Sequence, residues 1–522
     1  MTKSLCQGMR MVTRKEVRDI LLKKRVTLIY ALIIIIAIVL RFYNLDARPY
    51  HHDESVHAYF SYQLFRYGTY AYNPMWHGPF QYHLTASLYH LFWNGDWIGR
   101  VMPAIFGVFL VTLPFALRKH IGVKGSFMVA FLLAVSPSFL YYSRFFRSDI
   151  YVAFFSLAMV VCVLSYLESK QPRYLYLGSV CLALSLTAKE NTYITLAVFI
   201  SYIAWCIGHR IYIYKDKIMH KDNIKVVMVC MLILLTIYVL LYSSLFRHLE
   251  DALFAIPSGI HHWSTYKSGP TGPFYYYMPL LALYELPILI FGVAGIAYYA
   301  LKRDRLMVFM SYWACSSLLI YSCVYEKAPW LMLHILVPLT IIAGKCMGDV
   351  VPHLKYRRKG MELMIATILI LSSALFIWSS VPLYYNPTNP AEPMIQAAQP
   401  PQQFKDVLSK IDEVASQHDG KDTPIQVMDS GLFTQCLWHL RDYKNVSWNP
   451  SPREPTAPII LVHDTDASEV AKKLEGYERL DSAIMGWYWF KPSDVTLDYI
   501  LYRKMNRQPD KYGIVLFYRP RD

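Results

Sequence analysis

Residues 26–57 read VTLIYALIIIIAIVLRFYNLDARPYHHDESVH, and the fold turns on this stretch. The apolar run at 26–42 approaches the roughly 20 residues that a helix needs to cross a bilayer. Lys3, Arg10, Arg14, Lys15, Arg18, Lys23, Lys24 and Arg25 stand before it. Basic residues mark the cytoplasmic end of a span, so the His- and acid-rich segment after the run emerges on the far side. The run is too long for a signal-peptide core and no small-residue cleavage site follows it, so it is expected to remain as a signal anchor.

Further apolar runs follow at 98–117, 126–141, 150–167, 173–188, 192–208, 224–246, 277–300, 306–324, 330–348 and 361–381, about eleven spans in all. Every second loop repeats the basic bias. The sets are Arg118, Lys119 and Lys124; Lys170 and Arg173; Arg210, Lys215, Lys217, Lys221 and Lys225; Lys302, Arg303 and Arg305; and Lys355, Arg357, Arg358 and Lys359. These loops are read as cytoplasmic, and an odd number of spans then leaves the C-terminal region outside. The expected architecture is an α-helical polytopic membrane protein of the cell (inner) membrane. It has a cytoplasmic basic segment at 1–25, a transmembrane bundle at 26–382 with its first outer loop at 42–97, and a small α/β extracytoplasmic or periplasmic domain at 383–522.

Composition agrees with that reading. The chain has 522 residues, 55% of them hydrophobic, and 42 Tyr and 12 Trp suit both membrane interfaces and carbohydrate faces. The net charge of +15 falls mostly in short loops, so it orients spans and does not point to nucleic acid. Nine Cys are scattered with no CxxC and no zinc spacing, and they read as buried free thiols. After the linker YYNPTNPAEP (384–393), 402–414 reads as a helix, 425–428 and 459–462 as strands, 467–474 as a helix and 513–518 as a final strand. Such alternation describes a fold and carries no catalytic motif.

The chemistry-bearing residues gather in the outer loops. Asp53 and Glu54 are adjacent carboxylates just beyond the first span. A carboxylate there can take a proton from an acceptor hydroxyl or hold a divalent ion; the same pair also suits a helix N-terminus. His51, His52, His57 and His77 lie near, and one or two of them are read as contacts to substrate or phosphate. Asp53 and His57 share one helical face, and would be the ligands if a divalent metal is bound, although the spacing is not that of HExxH. Charges at span ends form a second set: Arg147 and Asp149, Lys189 and Glu190, Glu326 and Lys327. Ionisable groups at membrane depth are functional or paired. Arg147, Lys189 and Lys327 are suited to a phosphate, with Asp149, Glu190 and Glu326 holding them in place; mutual salt bridging is the structural alternative. The longer outer segment at 247–276 adds HHW (261–263), with His261 and His262, and a Gly/Pro hinge, SGPTGP (268–273).

Four of these stretches carry a family resemblance. The pair Asp53-Glu54, HGPFQYHLTASLYHLFW (77–93), RSDIY (147–151) and AKENTY (188–193) resemble the GT-C membrane glycosyltransferases of the dolichyl-phosphate-mannose–protein mannosyltransferase and aminoarabinose transferase type. EKAPWLMLH (326–334) and WHLRDY (438–443) are similar to the bacterial and archaeal "flippase activity-associated protein" group. The resemblance implies a GT-C fold and an inverting transferase. A sugar would pass from a polyprenyl-phosphate donor to a glycan, lipid or protein acceptor outside the cytoplasm. Asp53 would be the base or the acceptor-positioning carboxylate, and 77–93 a Pro-containing amphipathic helix along the membrane. HHDE is more His-rich than the mannosyltransferases. The rival reading is a lipid-linked sugar flippase or transport component that forms no bond; against it, no inverted repeat or pair of Gly/Pro-broken spans is visible.

Overall fold

The computed structural model describes residues 14–208, 221–267, 271–353, 358–395, 398–488, 490 and 492–521. Lys3, Arg10, Arg210, Lys215, Lys217, Lys355 and Arg357 lie outside the described residues, as does Cys6.

Each expected span lies on a helix. In chain order the bundle and its loops comprise α1 (Arg14–Phe42), α2 (His52–Tyr67), α3 (Phe80–Phe92), α4 (Asp96–Val135), α5 (Pro137–Tyr142), α6 (Asp149–Ser169), α7 (Arg173–Leu186), α8 (Asn191–Gly208), α9 (Lys221–Tyr242), α10 (Leu249–Thr265), α11 (Tyr277–Tyr284), α12 (Leu286–Lys302), α13 (Arg305–Cys323), α14 (Met332–His353) and α15 (Arg358–Tyr385). Seven helices among the described residues are long and apolar enough to cross a membrane, and the bent pair α11–α12 makes an eighth. Helix α4 holds two of the expected spans, because its forty residues fold back at Gly122, where φ 73 and ψ 157 suit a residue with no Cβ. Helix α7, with 14 residues, is shorter than a full crossing, while α15 runs for 28. Helix α14 forms the bundle axis, its apolar window 94% buried. By contrast α1 and α9 turn Leu28, Leu32, Ile35, Val39, Met228, Leu232 and Leu235 outward, as lipid-facing helices do.

Two expected spans are broken. The run at 126–141 ends as a helix at Val135 and restarts as α5, and the run at 277–300 bends by 112° between α11 and α12. The two breaks meet. Glu285, at the bend, accepts hydrogen bonds from the Ser136 hydroxyl (2.7 Å) and the Ser138 backbone N–H (2.9 Å). A helix start in an apolar interior leaves N–H groups without partners, and this carboxylate supplies one.

The C-terminal domain carries α16 (Phe404–Gln417), β1 (Ile425–Met428), α17 (Ser430–His439), β2 (Val446–Trp448), β3 (Ile459–His463), α18 (Ala467–Ala471), β4 (Glu478–Trp487), α19 (Leu497–Tyr502) and β5 (Asp510–Tyr518). The sheet order is β2-β1-β3-β5-β4. β1 runs parallel to β2 and β3, while β5 is antiparallel to β3 and β4. Phe404, Val407, Ile411 and Val414 recur at helical spacing on α16 and pack on Ile425, Ile459 and Leu516. The strands at 425–428, 459–462 and 513–518 form as expected; α17, β2 and the half-exposed edge strand β4 are additions.

Helix α17 docks this domain onto the loop at 42–97. Trp438 is fully buried among Tyr50, Tyr62 and Tyr89, and its indole N–H donates to Asp96 at 2.8 Å. Ser55 on α2 donates to Gln435 at 2.7 Å. The eight described cysteines are unpaired; Cys206, Cys346 and Cys436 are buried, but Cys315 and Cys323 are exposed on the chain surface.

Candidate active site

A capping box sets the start of α2. The His51 imidazole accepts from the Asp53 N–H at 3.1 Å, and Glu54 accepts from the His51 N–H at 3.0 Å. The two adjacent acids therefore part company. Glu54 has no exposed surface and also receives Arg48 (2.7 Å), Arg100 (2.8 Å from both Nε and Nη2) and the Phe146 N–H (2.9 Å). Asp53 faces the other way, into a cavity, where it pairs with Arg147. Burial opposes ionisation of both carboxyls, but the guanidinium groups outweigh it and hold each well below the ordinary range.

Two tight contacts bring the distant loops together. Gly78 lies against the backbone of the AKEN loop: a Cβ there would fall 2.2 Å from the Thr187 carbonyl oxygen. Next to it, Phe80 N–H donates to that same carbonyl at 2.9 Å. His77, just before, adopts φ 66 and ψ −170, a region that costs a residue with a side chain about 1–3 kcal/mol. Its surroundings hold it there. Arg147 Nη2 lies 3.1 Å from its Nε2, Glu190 takes its Nδ1 at 2.9 Å, and Trp263 stacks on its ring at 5.2 Å. Arg147 reaches Asp149 through Nε (3.2 Å) and lies flat over Trp330, 3.7 Å from the ring centroid. Asp149 also receives the Lys189 ammonium, and His334 and Asn191 at 3.3 Å each.

The cavity has a volume of about 310 Å³. Asp53, His57, His77 and Arg147 line it on one side, with His51 and His52 at the start of α2. Trp76, Trp263, Tyr266, Trp330 and Glu326 complete the wall. Several buried polar atoms here have no partner among the described residues: His51 Nε2, His52 Nδ1 and His57 Nε2 at the lining, and the indole nitrogen of Trp263. Such atoms call for a polar ligand or water. Burial and nearby Arg147 depress His57 to about 3, and burial depresses His51 to about 4, so both imidazoles are neutral at pH 7.

The expected site residues are distributed as follows. Asp53, His52, His57, His77, Arg147 and Glu326 line the cavity. Asp149, Lys189 and Glu190 stand directly behind it in the network just described. Lys327 turns away: its ammonium is taken up by the carbonyls of Tyr321 (3.2 Å), Ser322 (2.8 Å) and Val324 at the end of α13. His261 is exposed on α10 and His262 half-buried, and neither lines the cavity; their neighbours Trp263 and Tyr266 do. Asp53 and His57, the pair named for a metal, both face the cavity. Among the described residues no three His, Cys, Asp or Glu side chains gather as a cation site. With Asp53 already neutralised by Arg147 and one free nitrogen on His57, this donor set does not fit a cation cage. Sequence reasoning missed Arg48 and Arg100 behind Glu54, and Trp76, Trp263 and Trp330 on the wall. HHW and EKAPW were the only signal for the last two.

Residues 76–238, which hold the HGP turn and the 147–149 and 188–191 loops, match the family model of dolichyl-phosphate-mannose-protein mannosyltransferase. No curated protein matches the chain in sequence. Solved structures match its fold. ArnT from Cupriavidus metallidurans bound to undecaprenyl phosphate superposes with a TM-score of 0.60 at 15% identity, over 93% of this chain and 97% of that one. The Archaeoglobus fulgidus oligosaccharyltransferase in the apo form gives 0.58 at 15%, over 88% of this chain and 69% of that one. AglB from the same organism, in complex with an inhibitory peptide and a dolichol-phosphate, gives 0.58 at 13%, over 82% and 65%. At these identities the likeness is one of fold. The apolar helices and the shared architecture make the chain an integral membrane protein with the GT-C fold seen in ArnT and AglB, and its residues 76–238 resemble the mannosyltransferase family model.

Proposed function

We propose that this chain transfers a sugar from a polyprenyl-phosphate donor to an acceptor hydroxyl on the extracytoplasmic face, with inversion at the anomeric carbon. The observation that carries this reading is the cavity in which Asp53 meets Arg147 between aromatic walls. Among the described residues Arg147 is the one cation on its lining, suited to the phosphate that leaves. Indole and phenol faces suit a sugar ring, and the free imidazole nitrogens suit its hydroxyls. ArnT was crystallised with undecaprenyl phosphate and AglB with a dolichol-phosphate, which supports a lipid-phosphate donor here. Of the two roles open to Asp53, the geometry favours positioning: its carboxylate is committed to Arg147, and together they orient phosphate and acceptor. Glu54 is the scaffold behind them.

The basic loops support a cytoplasmic N-terminus and an extracytoplasmic domain at 383–522, in the cell membrane. The test is transfer from radiolabelled undecaprenyl-phosphate sugars by the purified chain in nanodiscs. Asp53→Asn, correctly folded, is expected to lower turnover about 100-fold or more, since misplaced reacting groups cost that much. Wild-type turnover by this variant would remove Asp53 from the reacting centre. In sealed proteoliposomes, labelled lipid crossing the bilayer with no new glycosidic bond would instead support a flippase or transport component.

A further inference from the structure

Resting on that reading, we propose that Glu326 is the catalytic carboxylate that takes the proton from the acceptor hydroxyl, while Asp53 and Arg147 form the positioning pair beside it. The cavity offers few alternatives. Asp53 is bound to Arg147 and Asp149 to Lys189, so both are neutralised. His51 and His57 are too weakly basic where they lie. Glu326 lines the cavity, and among the described residues no hydrogen bond or ion pair engages it. Its lone pairs are open to a substrate. Burial raises its carboxyl above the ordinary value, against the pull of Arg147 and Lys189 and with the push of Asp53 and Asp149. A base is most effective when its pKa approaches the working pH.

The chain that follows Glu326 is held at two points. Lys327 is anchored to the last carbonyls of α13, and Trp330 lies under the Arg147 guanidinium. Glu326 therefore sits on the same cavity wall as the cation assigned to the leaving phosphate. In the step, the acceptor oxygen forms a bond to the anomeric carbon as that carbon's bond to the phosphate oxygen breaks. The proton passes to Glu326, and the electron pair leaves with the polyprenyl phosphate, whose charge Arg147 meets.

The test uses the full chain in nanodiscs, a panel of undecaprenyl-phosphate hexoses and pentoses as donors, and methyl glycosides and water as acceptors. Glu326→Gln is expected to lower kcat about 100- to 10,000-fold, with Tm and binding of undecaprenyl phosphate unchanged. It should also abolish the acidic limb of the pH–turnover profile, and Glu326→Asp should recover part of the rate. Turnover by Glu326→Gln near that of wild type, or an acidic limb that persists, overturns the proposal and leaves the transferase reading standing. A wild-type chain inert with the whole panel overturns the transferase reading itself, and this role falls with it.

Discussion

Both carboxylate oxygens of Asp149 receive the ammonium of Lys189 at 2.8 Å, and both side chains are buried. Breaking a buried pair by removing one partner costs roughly 3–5 kcal/mol. Lys189→Met is therefore expected to lower Tm substantially while leaving undecaprenyl phosphate affinity per folded molecule unchanged. A stable variant with weakened affinity would move Lys189 to the phosphate.

Glu54→Gln keeps the shape of the side chain and removes its charge. Arg48 and Arg100 then stay buried without their counter-ion. A loss of roughly 3–5 kcal/mol is expected, seen as a lower Tm in detergent. If Glu54→Gln is as stable as wild type but inactive, Glu54 belongs to the chemistry.

Glu190 gives a pH signature. Burial raises its carboxyl to about 7, against the hydrogen bond from Tyr72. The folded state then keeps a proton that the unfolded chain gives up at ordinary carboxyl pH. Stability from this group is present below that ordinary range and is lost as pH rises through about 7. Glu190→Gln does not titrate, so its Tm relative to wild type should rise between pH 5 and pH 8. The effect is on the order of a few kcal/mol. An identical pH dependence in both proteins would contradict the shift.

Trp438→Ala empties the socket formed by Tyr50, Tyr62 and Tyr89. Truncations of this size cost roughly 3–5 kcal/mol. Added protease is expected to cut the linker at 384–393 faster than in wild type, with the bundle still intact. Unchanged cleavage would mean that the domain is held elsewhere.

The bundle is legible in the sequence because span length and loop charge are local properties that add up along the chain. The breaks are not, since α11 and α12 are both apolar; Glu285-Leu286-Pro287 is their only mark. Asp53, Arg147, Asp149 and Lys189 can be proposed from sequence because charges at span ends are rare. Which of them faces the cavity cannot, because that depends on partners the pattern does not mark: Glu54 is claimed by Arg100, and Lys327 by the last carbonyls of the preceding helix α13. The aromatic wall is hidden for another reason. In a chain with 12 Trp and 42 Tyr, no single ring stands out.

The contact between Ser55 and Gln435 spans 380 residues of sequence. Helix α2 leaves the ribosome long before α17. The helix that presents Asp53 therefore waits, through the insertion of the spans between them, for a segment made 380 residues later. Until that segment has folded, the Trp438 socket stands open, and a nascent chain whose spans are all inserted can still lack a finished site.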